Sequence, residues 1–120
     1  MENREKRRED RATYETDESA FVEFKVKKDT LSYKHYDLKV NDCSKYGLGI
    51  LIPQKDMDIL QLLKRGDQLQ NMTFFSFWTV LKVNGTVQHQ TEITAGQNKG
   101  CYIIGIKSDD RIEHCKAFVH

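Results

Sequence analysis

Short runs in which apolar and polar residues alternate dominate this sequence and constrain its fold more than any other feature. The clearest run is SYKHYDLKV, where one face carries Lys34, Tyr36, Leu38 and Val40 and the other carries Tyr33, His35, Asp37 and Lys39. A period of two is typical of a strand with one face against a core. Further strand-like runs are AFVEFKVKK, LGILIP, MTFFSFWTVLKV, TVQHQ and GCYIIGIK. The pattern predicts about six strands in a closed or nearly closed antiparallel barrel.

The segments between and after these runs predict a hairpin and two short helices. Asn84-Gly85 separates VLKV from TVQHQ. This pair favours a tight hairpin, because both central turn positions need positive φ and asparagine and glycine adopt it most readily. The segment Asp110–Glu113 resembles a capping box, which predicts a short C-terminal helix with Ile112 and Phe118 against the barrel. An internal helix is predicted because Met57, Leu60 and Leu63 are spaced to lie on one helical face. Gly66 follows soon after as a stop signal.

Composition and charge narrow the class of protein. The chain has 120 residues, 38% hydrophobic and 31% charged, which suits one water-soluble domain. Its net charge of +1 supplies no general field for nucleic acid or membranes. No run is apolar enough to span a bilayer, and MENREKRRED is unlike a signal peptide. Cys43, Cys101 and Cys115 lack a paired spacing, which predicts free thiols and a cytoplasmic protein.

Two motifs carry the functional hypothesis. Residues 1–18 form a charged arm, expected to be mobile when free, that contains the run RREDR with arginines at Arg7 and Arg11. The turn between the second and third strand-like runs reads DCSKYG, with Asp42, Ser44 and Gly47 in order. Together they resemble the RxxxR and (D/N)xSxxG motifs of PilZ domains. Arg8 lies within the same segment, and Arg4 with Arg8 forms an alternative RxxxR register.

The resemblance implies a six-stranded PilZ-type β-barrel over 19–120 that binds cyclic di-GMP at one edge. Side-chain chemistry independently suits that ligand: an arginine fork can meet guanine O6 and N7, or bridge a phosphate. Asp42 can accept the N–H donors of a guanine, Ser44 offers a hydroxyl, and Gly47 leaves room for close approach. The expected role is a receptor that signals to a protein partner in bacterial motility, attachment or polysaccharide regulation, without DNA or RNA and without membrane insertion.

Two other functions stay open at this point, and catalysis is not expected. The first alternative is a PilZ-like adaptor that binds a protein and no nucleotide. The second is a small nucleic-acid-binding barrel with a stacking platform, although an aromatic core is the simpler interpretation of Phe74, Phe75, Phe77 and Trp78. Ser44 lacks an identifiable base, and the histidines and cysteines lack a metal-binding spacing, so no catalytic or metal residue is predicted.

Overall fold

Six antiparallel strands form a closed barrel in the structure, a computed structural model that describes residues 20–76 and 80–112. The strands are β1 (Phe21–Asp29), β2 (Ser32–Ser44), β3 (Gly47–Ile52), β4 (Gln68–Phe75), β5 (Val80–Glu92) and β6 (Tyr102–Ser108). Their order around the barrel is β1-β2-β3-β6-β5-β4, and pairing of β1 with β4 closes it. The predicted six-stranded barrel is therefore confirmed.

Alternation along the strands fills the barrel interior. Tyr36, Leu38 and Val40 of β2 point inward and are buried, as the period of two predicts. The largest side chains with almost no exposed surface come from several strands and the internal helix: Phe74, Ile50, Ile52, Ile59, Met72 and Ile104. Phe74 is thus a core residue, while Phe75 is half-buried and stacks on Phe21 with ring centroids 6.1 Å apart. These two aromatic residues pack within the protein, as the core interpretation predicts.

A short helix, α1 (Ile59–Leu62), follows a 3-10 turn at Gln54–Asp56 and places Ile59 in the barrel core. The predicted internal helix is confirmed, but its buried residues are Ile59 and Leu63, and Met57 is only half-buried. The Gln90 amide of β5 donates to the Leu60 and Leu63 carbonyls at 3.2 and 2.6 Å. Because the last carbonyls of a helix lack partners within it, these bonds fasten α1 to the barrel.

Asp58, immediately before α1, ties the helix to β2. Its carboxylate accepts hydrogen bonds from Lys34 Nζ at 2.7 Å and from the Tyr36 hydroxyl at 2.8 Å. The Lys34 bond, followed by the Tyr36 bond, lowers the pKa of Asp58. Burial first, and then the bond to Asp58, raises the pKa of Tyr36. The two shifts agree in favouring a charged carboxylate beside a neutral phenol.

Asn84 and Gly85 lie inside β5 and not in a hairpin turn, so that prediction is wrong. The Asn84 side-chain oxygen accepts the Asn71 backbone N–H at 2.6 Å, at a bulge where β4 shifts register against β5. Asn71 itself has φ of 57°, in the left-handed region. A Cβ on Gly85 would lie 2.6 Å from both Ile106 Cγ2 and Lys107 O. Asn84 therefore stabilises a bulge, and Gly85 allows close contact between strands. Both positions favour the same residue types as a turn does.

The cysteines and the chain ends complete the comparison with the sequence. Cys43 is buried and disulfide-bonded, so the prediction of free thiols is wrong at that position, whereas Cys101 is a free, half-buried cysteine.

Ile112 is buried as predicted, and Asp110–Ile112 is not helical. The arm at 1–18, Cys115 and the remainder of the predicted closing helix lie outside the described residues. Within the described ranges, no helix has the length and apolar character needed to cross a membrane.

Candidate ligand-binding site

The β2–β3 hairpin holds the DCSKYG motif in a fixed position. Ser44 pairs with Gly47, and Lys45 and Tyr46 form the connecting two-residue turn. The Tyr46 carbonyl accepts the Ser108 N–H at 2.9 Å, and the Lys45 carbonyl accepts a backbone N–H from the segment after β6 at 2.6 Å. The end of β6 and the segment after it therefore hold both turn carbonyls, so the loop that carries the motif is fixed in place.

Two β-bulges at the same level of the barrel flank a pair of glycines. β2 shifts register between Val40 and Asp42, and β5 shifts between Val87 and His89. The pairings then form one row across four strands, running Asp42, Gly49, Gly105 and His89. Because a bulge re-aims the side chains beside it, both Asp42 and His89 are brought to the glycine pair.

The two glycines allow the neighbouring side chains to lie over the sheet. A Cβ on Gly49 would come within 2.8 Å of the Asp42 carboxylate, and a Cβ on Gly105 would overlap the His89 ring. Asn41 Nδ2 donates to Asp42 Oδ2 at 2.9 Å, and His89 Nδ1 lies 2.9 Å from the Thr91 hydroxyl. The result is a floor of two glycines on which the Asp42 carboxylate and the His89 imidazole lie.

A cavity of about 600 Å³ lies over this floor. A second row, running Ser44, Gly47, Lys107 and Thr86, adds a hydroxyl and an ammonium beside the first. Further lining residues are Tyr46, Leu48, Gln88, Thr91, Ile93, Ile103 and Ile106. Tyr46 is 52% exposed, so its ring can be covered by a ligand. The cavity thus combines a hydrogen-bond acceptor, two rings and a cation around a surface that a planar group can approach.

The structure brings the second predicted motif together and adds residues that were not predicted. Asp42, Ser44 and Gly47 line one cavity, whereas Arg7, Arg8 and Arg11 lie outside the described residues. Gly47 does not have positive φ, and a Cβ there would lie 3.4 Å from Ile106 O and Ser44 Oγ. Sequence analysis missed His89, Lys107 and the glycine pair. Isolated glycines inside LGILI and YIIGIK were the available signal, because glycine within a strand marks bulges and close approaches.

Solved structures share this fold although no family model and no curated protein matches the sequence. The complex of K. pneumonia MrkH with c-di-GMP is 15% identical, with a TM-score of 0.65 over 95% of this chain and 48% of MrkH. Apo MrkH is 16% identical, with a TM-score of 0.64 over 90% of this chain and 45% of that one. The PilZ domain of Escherichia coli YcgR with c-di-GMP is 14% identical, with a TM-score of 0.54 over 95% and 83%.

These similarities establish the architecture: the chain has a PilZ-type barrel. It spans about half the length of MrkH and most of the YcgR domain.

Proposed function

We propose that this protein is a receptor for cyclic di-GMP that relays the level of the messenger to a protein partner. The observation that carries the proposal is the row in which Asp42 and His89 flank the Gly49–Gly105 pair. This row begins in the β2–β3 hairpin that holds the (D/N)xSxxG-like motif and continues onto β6 and β5, on a barrel of the PilZ type. Two of the solved structures with this architecture contain c-di-GMP, which supports the same ligand class here.

The polar and aromatic groups named above can each contact a different part of a cyclic dinucleotide. The Asp42 carboxylate accepts the N–H donors on one edge of a guanine, and the glycine pair lets Asp42 and His89 lie low against the sheet beneath the purine ring. The rings of His89 and Tyr46 stack on the base, and Lys107 attracts a phosphate. Arg7 and Arg11 of the arm are proposed to clamp guanine and phosphate groups from outside, with Arg8 as the neighbouring cation.

The proposed setting is cytoplasmic signalling in a bacterium, in motility, surface attachment or polysaccharide regulation. No catalytic role and no cofactor is proposed. The competing proposal is an adaptor of the same fold that binds a partner without nucleotide. The two proposals differ in one measurable property, which is the affinity for cyclic di-GMP.

Calorimetric titration of the full chain with cyclic di-GMP, with GTP as the control ligand, tests the proposal. Arg11→Ala is expected to lower the affinity about tenfold to a hundredfold, since a lost charge-assisted contact costs about 1.5–3 kcal/mol. Arg11→Lys is expected to be almost as harmful, because an ammonium lacks the planar fork. Neutralising Glu9 and Asp10 should leave the affinity equal or higher. Lys39→Ala is the matched control, because Lys39 is exposed on β2 and does not line the cavity.

Absence of binding heat and of amide shifts with high micromolar cyclic di-GMP would contradict the receptor proposal and favour the adaptor. Rescue of binding by Arg11→Lys would contradict the proposed fork geometry, because it would indicate that charge alone suffices.

A further inference from the structure

The barrel opens on the side directly opposite the glycine row. The row is centred between β3 and β6, and in the closed order β1-β2-β3-β6-β5-β4 the opposite junction is that between β4 and β1. Although β1 runs from Phe21 to Asp29, its register with β4 covers only Phe21, Val22 and Glu23. Beyond Glu23 the two strands diverge, so the β4-facing edge of β1 has no ladder partner among the described strands.

The bulge in β4 accounts for this divergence. β4 shifts register between Leu69 and Met72, next to Asn71 with its left-handed φ of 57°. The Asn84 side chain takes the Asn71 N–H at 2.6 Å, so the bulge has its own fixed partner in β5. A bulge of this kind bends its strand, and β4 leaves β1 at this point. The opening is therefore built into the fold by specific residues.

A groove of about 860 Å³ occupies the gap, and we call it the β1–β4 groove. Its walls are Glu23–Lys27 of β1 and Gln68–Asn71 of β4. Apolar side chains at its base are Val26, Leu62, Leu63 and Leu69. Tyr33, which is 62% exposed, lies at the rim. The groove is thus long, walled by two strands and partly apolar, which is the shape that an extended peptide occupies.

The polar rim of the groove is basic. Lys25, Lys27 and Lys82 line it, and Lys25 and Lys27 are exposed. The Lys82 ammonium donates to the neutral Thr73 hydroxyl at 2.8 Å, and no carboxylate of the described residues forms an ion pair with it. In the described ranges, Lys25 and Lys27 form no ion pair. The acidic lining residues are Glu23 and Asp67, and the Asp67 carboxylate already accepts the Lys64 N–H at 2.8 Å.

We propose that the β1–β4 groove binds an extended, acidic segment of a protein partner as an added strand beside β1. The free β1 edge supplies backbone hydrogen bonds, and the apolar base accepts alternate side chains of the segment. The three lysines select acidic residues at the intervening positions. The edge from Phe24 to Lys27 measures roughly 14 Å at about 3.4 Å per residue, which suits a segment of about four or five residues. Nucleotide binding on the opposite side is not required for this contact.

NMR titration of the full chain with a designed probe tests the proposal. The probe is a capped heptapeptide in which valine alternates with glutamate, and the control peptide has lysine in place of each glutamate. We expect amide shifts concentrated in 24–27 and 68–71 with the acidic peptide and none with the basic one. The Lys25→Glu and Lys27→Glu double variant should weaken binding at least about tenfold. Lys39→Glu with Lys55→Glu is the matched control, because both lysines are exposed and lie outside the groove.

Three results would overturn the proposal. The first is an absence of shifts at about 1 mM acidic peptide, which corresponds to less than about 4 kcal/mol of binding. The second is equal binding by the double variant or by the basic peptide. The third is a different occupant: binding that strengthens tenfold on deletion of residues 1–18 would assign the groove to the arm of the same chain. A dimer that the Lys25→Glu and Lys27→Glu variant dissociates would assign it to a second copy.

Discussion

The β3–β6 side and the β1–β4 side of this barrel both contain bulges, but the bulges have opposite consequences. On the β3–β6 side, the bulges of β2 and β5 leave the ladder continuous from β2 to β5. They aim Asp42 and His89 over Gly49 and Gly105. On the β1–β4 side, the bulge beside Asn71 ends the pairing of the two strands. A β-bulge therefore gives a continuous sheet surface where the bulged strand stays paired on both sides. It gives a groove where the bulged strand loses its pairing with one adjacent strand.

The difference separates two kinds of recognition on one small domain. A continuous, glycine-floored sheet presents side chains in fixed positions, which suits a rigid planar ligand. An open strand edge presents backbone donors and acceptors, which suits another chain. Because the two surfaces lie on opposite sides of one core, a ligand and a partner can bind without direct competition.

The largest expected effect is a loss of stability when a side chain is truncated in the core that both sides share. Phe74 is fully buried, and Phe74→Ala is expected to destabilise the protein by about 3–5 kcal/mol. Urea unfolding measures the change, with Val80→Ala as the control at a position that is 70% exposed. Amide exchange should rise on both sides of the barrel together. If one side kept its protection while the other lost it, the two sides would be separate cooperative units.

The next effect concerns the β3–β6 side alone. Gly49→Ala places a Cβ where the Asp42 carboxylate lies, at 2.8 Å, and a flexible carboxylate can move away. We therefore expect a modest change in stability but about a tenfold loss of affinity for cyclic di-GMP. Asp42→Asn keeps the size of the side chain, loses the charge and should weaken binding similarly. Both variants should bind the acidic peptide as the unmodified protein does, and a parallel loss there would contradict the independence of the two sides.

How far the sequence predicts these features depends on whether their signals are local. The strands and the second motif were predictable because alternation and DCSKYG are read within short windows. The Asn84-Gly85 hairpin prediction was wrong because asparagine and glycine suit a bulge and a close strand contact as well as a turn. His89 and the β1–β4 groove depend on registers between strands far apart in sequence, which no local pattern encodes. The arginine motif stays a prediction, since Arg7 and Arg11 lie outside the described residues.

A smaller effect should appear on the β1–β4 side when the bulge is altered. Asn71 has left-handed φ, so Asn71→Ala should cost about 1 kcal/mol or slightly more, while Asn71→Gly should be close to neutral. Asn84→Ala removes the acceptor of the Asn71 N–H and should cost about 0.5–1.5 kcal/mol. Urea midpoints measure these costs. Amide exchange in 24–27 should change more than exchange around Gly105, and the reverse order would show that the bulge does not control the groove.

The smallest expected effect is a pH dependence of stability at the start of helix α1. Hydrogen bonds from Lys34, and then from Tyr36, lower the pKa of Asp58 in the folded protein. A carboxyl with a depressed folded pKa stabilises the protein above its unfolded pKa of about 3.9, and the contribution disappears as pH falls through the folded value. The Asp58 side chain is 44% exposed, so the contribution should be about 0.2–1 kcal/mol.

Comparison of Asp58→Asn with the unmodified protein isolates this contribution. The difference in unfolding free energy should be constant near neutral pH and should shrink below about pH 4. Carboxyl-carbon NMR titration reports the Asp58 pKa directly, and Lys34→Met should raise it by removing the largest cause of the shift. Because Lys34 and Tyr36 belong to β2 and α1 also contacts the β1–β4 groove through Leu62, acid should loosen the groove before it affects the glycine row. A simultaneous loss of binding at both surfaces between pH 5 and pH 3 would indicate, instead, global acid unfolding at about that pH.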